Sequence, residues 1–257
     1  MIRSITRWSL ALCVLGSGAV VATAQDKTTA VKADEGKPAA TTPVKANVTI
    51  TATSTPMDLA RAALAAQGGD NFKNLKSLVL VGDVNLYAPN SSQSVAGKFG
   101  MVQASGDRYR LDVQSPIIQF KQLFDGQQTY SSMPGLSLPN PSQFGMGLLT
   151  RFDQTGYTIT ALPDQKKQRS FRITGPDGSA TDFFVDALTG RVLKYTVPFQ
   201  GGSFIVEQES MKEVGGILVP YKIAQRFETR QGAYIAEFKV KTVTVNEPLP
   251  DDVFVIQ

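Results

Sequence analysis

The chain contains no histidine, and its single cysteine and single tryptophan, Cys13 and Trp8, both lie close to the N-terminus. Without imidazole or thiol in the body of the chain, Ser-His-Asp and Cys-His nucleophilic catalysis are excluded, as are zinc sites built on His or Cys. What is left is carboxylate, hydroxyl or lysine chemistry, or binding by shape and apolar surface. A charge excess is missing too. The formal net charge is +4, yet residues 56–257 hold 20 Lys and Arg against 19 Asp and Glu. A near-neutral domain with interspersed signs offers no electrostatic footprint for nucleic acid. The residue types present imply no cofactor and no metal.

The N-terminus reads as a targeting segment. Arg3 and Arg7 precede an apolar run from Leu10 to Val21, and Ala22-Thr23-Ala24 supplies an A-x-A site ahead of Gln25. This is the pattern of a cleavable secretory signal peptide over residues 1–24, with cleavage after Ala24, and its apolar run is too short to span a bilayer. Cys13 follows Leu12 inside that run, where a lipoprotein signal needs a small residue, so it is not read as a lipidation site. Residues 25–55 hold eight Thr, six Ala and four Lys, with no aromatic residue and no Leu. Such a stretch buries too little apolar area to offset the entropy of ordering, and is expected to be a flexible linker. All fourteen Phe lie within 56–257, which is expected to form one domain.

That domain opens with a helix. Thr55-Pro56-Met57-Asp58 places a capping residue before a proline at the first helical position, with an acid in the first turn. Leu59, Ala62, Ala63 and Ala66 then recur at helical spacing, and Gly68-Gly69 stops the run. A short second turn is expected within Asp70 to Lys76. Beyond it the pattern alternates with period two. Leu78, Leu80, Val84 and Leu86 share one face, and Phe171 and Ile173 oppose Arg172 and Thr174. Ala236, Phe238 and Val240 oppose Glu237, Lys239 and Lys241. Turn signals such as Gly106-Asp107, Thr189-Gly190, Gly201-Gly202 and Gly215-Gly216 punctuate the runs. Ten to twelve antiparallel strands in one sheet do not stay flat; their twist curls them into a barrel or an incomplete one.

Residues 133–152 break the alternation. Three prolines and three glycines forbid a long regular element, yet the segment carries Met133, Leu136, Leu138, Phe144, Met146, Leu148, Leu149 and Phe152. Ser142 is positioned to cap a short helix reaching Thr150. Such a segment has two readings: a plug that completes the core, or a lid over an apolar cavity, where flexible Met suits variable ligands.

In order along the chain, several local patterns resemble the LolA-type superfamily of periplasmic lipoprotein-sorting and lipid-carrier proteins. They are the helix running into a strand from Leu59 to Leu86, Gly106-Asp107-Arg108-Tyr109-Arg110-Leu111, and the hairpin Phe124-Asp125-Gly126-Gln127-Gln128-Thr129-Tyr130. Asp186-Ala187-Leu188-Thr189-Gly190 and Asn246-Glu247-Pro248-Leu249-Pro250-Asp251-Asp252-Val253-Phe254 complete the series. Leu111 and Tyr130 stand where LolA often has Trp, and Ser203 to Thr244 is longer than its LolA counterpart, so the resemblance is to a broader relative rather than to LolA itself. It implies a mainly β fold with short helices: a strongly curved antiparallel sheet forming a half-open barrel, helices packed in its concave side. It also implies a monomeric periplasmic carrier, not an enzyme, whose partners are lipid acyl chains or a lipoprotein and the inner- or outer-membrane protein machinery.

An acyl chain costs about 0.8 kcal/mol per methylene to bring into water, which a carrier must offset with a dry cavity. The expected lining from the strands is Leu78, Leu80, Phe99, Met101, Leu111, Ile118, Phe120 and Phe124. The loose segment adds Met133, Leu136, Phe144, Met146 and Leu149. The same scaffold would also serve a sensor or interaction protein that binds a membrane-anchored regulator. Two charged sets complete the candidates. Lys166, Lys167, Arg169 and Arg172 gather near a hairpin tip, where they could meet headgroups or an acidic partner. Asp112, Asp125, Asp182 and Asp186 could supply a carboxylate pair for glycoside hydrolysis.

Overall fold

In the computed structural model, residues 49–133, 137–199, 201–229 and 232–255 are described. The expected signal peptide, most of the expected linker and Leu136 therefore lie outside the described residues. Helix α1 (Pro56–Gln67) forms as its sequence dictates. The Asp58 amide donates to Thr55 Oγ1 at 3.2 Å and the Thr55 amide donates to Asp58 Oδ2 at 3.0 Å, a reciprocal capping box. Hydrogen bonds from Thr55 hold the Asp58 carboxyl below its ordinary range. Leu59, Ala60, Ala62 and Ala63 are buried, and Gly68 ends the helix at φ +124. A single turn, α2 (Asp70–Lys73), follows. Residues 49–55, expected to belong to the linker, lie against the domain. Ile50 packs on the core, and the Arg169 guanidinium donates to the carbonyls of Thr51 and Ser54.

The remainder is one sheet of twelve strands. The first five are β1 (Ser77–Tyr87), β2 (Ser94–Ala104), β3 (Arg108–Gln114), β4 (Gln119–Phe124) and β5 (Thr129–Ser131). After the irregular segment, which holds the turn α3 (Met146–Leu149), come β6 (Thr158–Ala161), β7 (Gln168–Thr174), β8 (Ala180–Asp186) and β9 (Val192–Phe199). The long strands β10 (Gly202–Val214), β11 (Ile217–Thr229) and β12 (Gly232–Val245) complete the set. Their spatial order is β5-β4-β3-β2-β1-β12-β11-β10-β9-β8-β7-β6. Every neighbour pair is antiparallel, and β5 and β6 are left as the two edges. The sheet is thus strongly curved and unclosed, a half-open barrel whose two arms are β1 to β5 and β12 to β6.

Alternation assigns the concave face. Leu80, Val84, Phe99, Leu111, Phe171, Phe183, Val206 and Phe238 point inward and are buried. Phe99 and Phe238 meet edge to face with centroids 4.9 Å apart, bridging β2 and β12 across β1, and Phe171 stacks on Phe183 at 5.2 Å. Each such ring removes enough apolar area from water to contribute about 1.5–3 kcal/mol. On the convex side Lys194 covers the Phe184 ring at 4.2 Å. There too Asp83 receives hydrogen bonds from Lys241 and Lys98, which bring its pKa down to about 2. The C-terminal segment closes over the same side. Asn246 Oδ1 accepts the Lys76 amide at 2.8 Å, Arg110 donates to the Val253 carbonyl at 2.8 Å, and Arg108 lies over the Phe254 ring.

Candidate functional site

The concave floor gathers most of the strand positions expected to line a cavity. Leu78, Leu80, Phe99, Met101, Leu111, Phe120 and Phe124 all face inward and are at most 9% exposed, while Ile118 is half-buried near the rim. The irregular segment lies across this floor. Leu148, Leu149 and Phe152 are buried to the hilt, at 1%, 0% and 4% exposure, and Phe144 is half-buried against Phe199 at 6.0 Å. Met146 is half-buried but turns to the outer edge of the segment, and Met133, 38% exposed, stands outside the interior beyond β5. Ser142 does not cap a helix. Its amide donates to Asn140 Oδ1 in a turn, and the chain passes through Gly145 at φ +57 before α3 begins, with no side-chain cap.

Of the two readings of the segment, plug or lid, its described residues take the position of a plug on the concave floor. What remains beneath 137–152 is a void of about 10 Å³, close to the lower limit for one water molecule. The reason is volumetric: the side chains of Leu148, Leu149 and Phe152 occupy the hollow that an acyl chain would need.

Three polar contacts hold the plug to the sheet. Gln122, on the concave face of β4 and 1% exposed, accepts the Leu138 amide at 2.6 Å and donates to the Leu138 carbonyl at 2.7 Å. A side chain thereby mimics a strand neighbour. Thr181 Oγ1 on β8 accepts the Gly145 amide at 2.9 Å. Arg151 reaches Asp107, in the turn between β2 and β3, at 2.9 Å. Gly145 is also pressed on Tyr195, since a Cβ there would fall 2.5 Å from Tyr195 Cε2. The fit is incomplete, because the buried Asn140 Nδ2 has no hydrogen-bond partner among the described residues.

Three polar residues under the plug escaped the sequence reading. Tyr109 on β3 and Tyr195 on β9, 2% and 8% exposed, line the small void with Gln225 of β11. Among the described residues neither hydroxyl has a hydrogen-bond partner, nor has the Gln225 amide. Burial pushes both phenols well above their ordinary pKa, and Tyr195 raises Tyr109 further. Both hydroxyls are neutral at any working pH. Their only trace in the sequence is inward parity on a strand.

Along its outer edge the plug borders a cleft of about 460 Å³ between α2, the β2–β3 turn and α3. Met146, Phe72 and Leu75 supply apolar walls, and Lys73, paired with Asp153 at 2.7 Å, lines it as well. Most of the charged candidates are committed elsewhere. Arg169 pairs with Asp164 at 2.8 Å and Arg172 with Asp182 at 2.5 Å, which leaves Lys166 and Lys167 as the exposed pair at the hairpin tip. Asp112 pairs with Arg110 at 2.7 Å. Asp125 accepts the amides of Gln127 and Gln128, and Asp186 those of Leu188 and Thr189, each bracing a turn.

No family model matches the sequence, and no curated protein matches it at the level of sequence. Solved structures do match the fold. A LolA superfamily protein from Nitrosomonas europaea superposes with a TM-score of 0.52 at 16% identity, over 79% of this chain and 98% of that one. The chain has a LolA-type fold. A DUF1329 family protein from Desulfovibrio piger superposes with a TM-score of 0.50 at 12% identity, over 79% of this chain and 98% of that one. The LolA-type scaffold accounts for the unclosed sheet with helices on its concave side.

Proposed function

We propose that the protein is a periplasmic, non-enzymatic carrier that holds acyl chains of a lipid or lipoprotein against the concave floor. The chains occupy the space that residues 137–152 fill in the closed form. The observation that carries this reading is the seating of the plug: an irregular apolar segment on an apolar floor, held by three polar latches and leaving the buried Asn140 Nδ2 unsatisfied. Magnitudes favour exchange. Seating Leu148, Leu149 and Phe152 contributes roughly 5–9 kcal/mol in all, at about 1.5–3 kcal/mol for each buried side chain. An acyl chain of about 16 carbons gains roughly 12 kcal/mol at about 0.8 kcal/mol per methylene. Cargo can therefore displace the plug, and the plug can compete for the same surface when cargo leaves. The A-x-A pattern at Ala22-Thr23-Ala24 and the LolA-type fold support export to the periplasm. The commitment of Asp112, Asp125, Asp182 and Asp186 to ion pairs and turns supports a role without catalysis.

The filled interior favours a second reading, a sensor or interaction protein that binds a membrane-anchored regulator and whose plug never leaves. Native mass spectrometry and solvent extraction of protein purified from cell envelopes separate the two. Bound phospholipid or acylated species support the carrier. Lipid-free protein that co-purifies with a membrane protein supports the second reading.

A further inference from the structure

We infer that the hydroxyls of Tyr109 and Tyr195, with the Gln225 amide, form a polar anchor for the neutral carbonyl oxygen of an acyl ester or amide, engaged when residues 137–152 withdraw. The inference rests on the carrier reading and deepens it, by assigning which part of the cargo is read. Tyr109 and Tyr195 lie on opposite arms of the half-barrel, on β3 and β9, and converge across the interior on one void. Both residues are more than nine-tenths buried, and their hydroxyls, without a hydrogen-bond partner among the described residues, line the same gap under a displaceable segment.

The lining specifies the ligand class. No charged side chain borders the void, so nothing there compensates a phosphate or a free carboxylate, and burying either charge would be prohibitive. The apolar walls that stay on the sheet when residues 137–152 withdraw are Val197 and Phe204. Two neutral donors in an apolar wall suit a neutral acceptor, and the acyl carbonyl is the polar atom that follows directly on a hydrocarbon chain. Gln225 can also accept, which adds a partner for the N–H of an amide. With the carbonyl fixed there, the chain runs along the apolar floor and its head lies beyond the void.

The test uses the full chain and three probes of equal chain length: methyl palmitate, N-methylpalmitamide and hexadecane. Wild-type protein is expected to bind the ester or the amide more tightly than the alkane, and the tighter of the two identifies a glycerolipid-like or an N-acyl source. In the Tyr109→Phe/Tyr195→Phe double variant, loss of two neutral hydrogen bonds should weaken carbonyl probes about tenfold and leave hexadecane unchanged. The bound ester C=O stretch should also move to higher wavenumber as its donors disappear. Gln225→Leu is a second, independent variant, expected to weaken the amide more than the ester. An unchanged carbonyl preference in both variants, or an equal loss for hexadecane, overturns the anchor and leaves the carrier standing. Failure of wild-type protein to bind any of the three probes overturns the carrier reading itself.

Discussion

Gly145 lies flat on the ring of Tyr195: a Cβ at position 145 would sit 2.5 Å from Tyr195 Cε2 and 2.9 Å from Cζ. The backbone there has φ +57, a region that favours glycine, and its amide is spent on Thr181 Oγ1. Glycine is thus required twice, for conformation and for space. Gly145→Ala is expected to destabilise the protein by about 1–3 kcal/mol through overpacking. It should also speed hydrogen exchange at Leu148 and Leu149 without disturbing β1 and β12. An unchanged melting temperature and exchange pattern would show that the plug does not rest on Tyr195.

Gln122 is the second point of attachment. Gln122→Leu removes both hydrogen bonds to Leu138 and leaves a buried backbone donor and acceptor unpaired, at a cost of about 1–3 kcal/mol. Thermal unfolding should record that loss. Uptake of methyl palmitate should become faster, because a latch on the closed form has gone. Slower uptake would mean that Gln122 serves the loaded form instead.

Arg151→Met is expected to act weakly. Its partner Asp107 is nearly half exposed, and pairs of that kind contribute about 0–1 kcal/mol, less in salt, while the bonds that Arg151 donates to the Ser142 and Gly147 carbonyls lie within the plug itself. Stability in low and high salt should converge once the pair is removed. A loss as large as that of Gln122→Leu would show that the outer cleft, rather than the concave floor, holds the plug.

With no histidine, no side chain of the described residues titrates ordinarily between pH 5 and 8. Several carboxyls do sit below their usual range. Asp153 is lowered by the Lys73 hydrogen bond, Asp177 by Ser179, and Asp125 by the amides of Gln128 and Gln127. For Asp186 burial works upward, but the Thr189 hydroxyl and the amides of Thr189 and Leu188 outweigh it. Because these folded pKa values are depressed, their stabilisation is complete above the unfolded carboxylate pKa and is lost as pH falls through the folded values. The melting temperature should be level from pH 5 to 7 and decline below about pH 4. A step between pH 5.5 and 7 would contradict this.

Local rules made much of the fold legible. Thr55 and Asp58 announced the start of α1. Asp107, Gly190, Gly201, Gly215 and Gly216 all adopt positive φ at expected turns. Parity placed Leu80, Phe99, Leu111 and Phe120 on one face, because a strand's side chains alternate whatever its partner. The plug was legible only as an exception to that parity. What seats it depends on residues brought together by the curved sheet: Gln122 with Leu138, Thr181 with Gly145, Asp107 with Arg151. No spacing rule encodes such pairs. Nothing in the sequence marked Tyr109 and Tyr195 as a pair, since their convergence and their missing hydrogen-bond partners show only in three dimensions.

The central claim is that cargo and residues 137–152 exclude one another on the concave floor. Hydrogen exchange at the amides of Leu138, Gly145, Leu148 and Leu149, with and without methyl palmitate, tests it directly. Loaded protein should exchange faster at these four amides while the strands beneath exchange as slowly as before. Lipid bound with the four amides still protected would contradict the account.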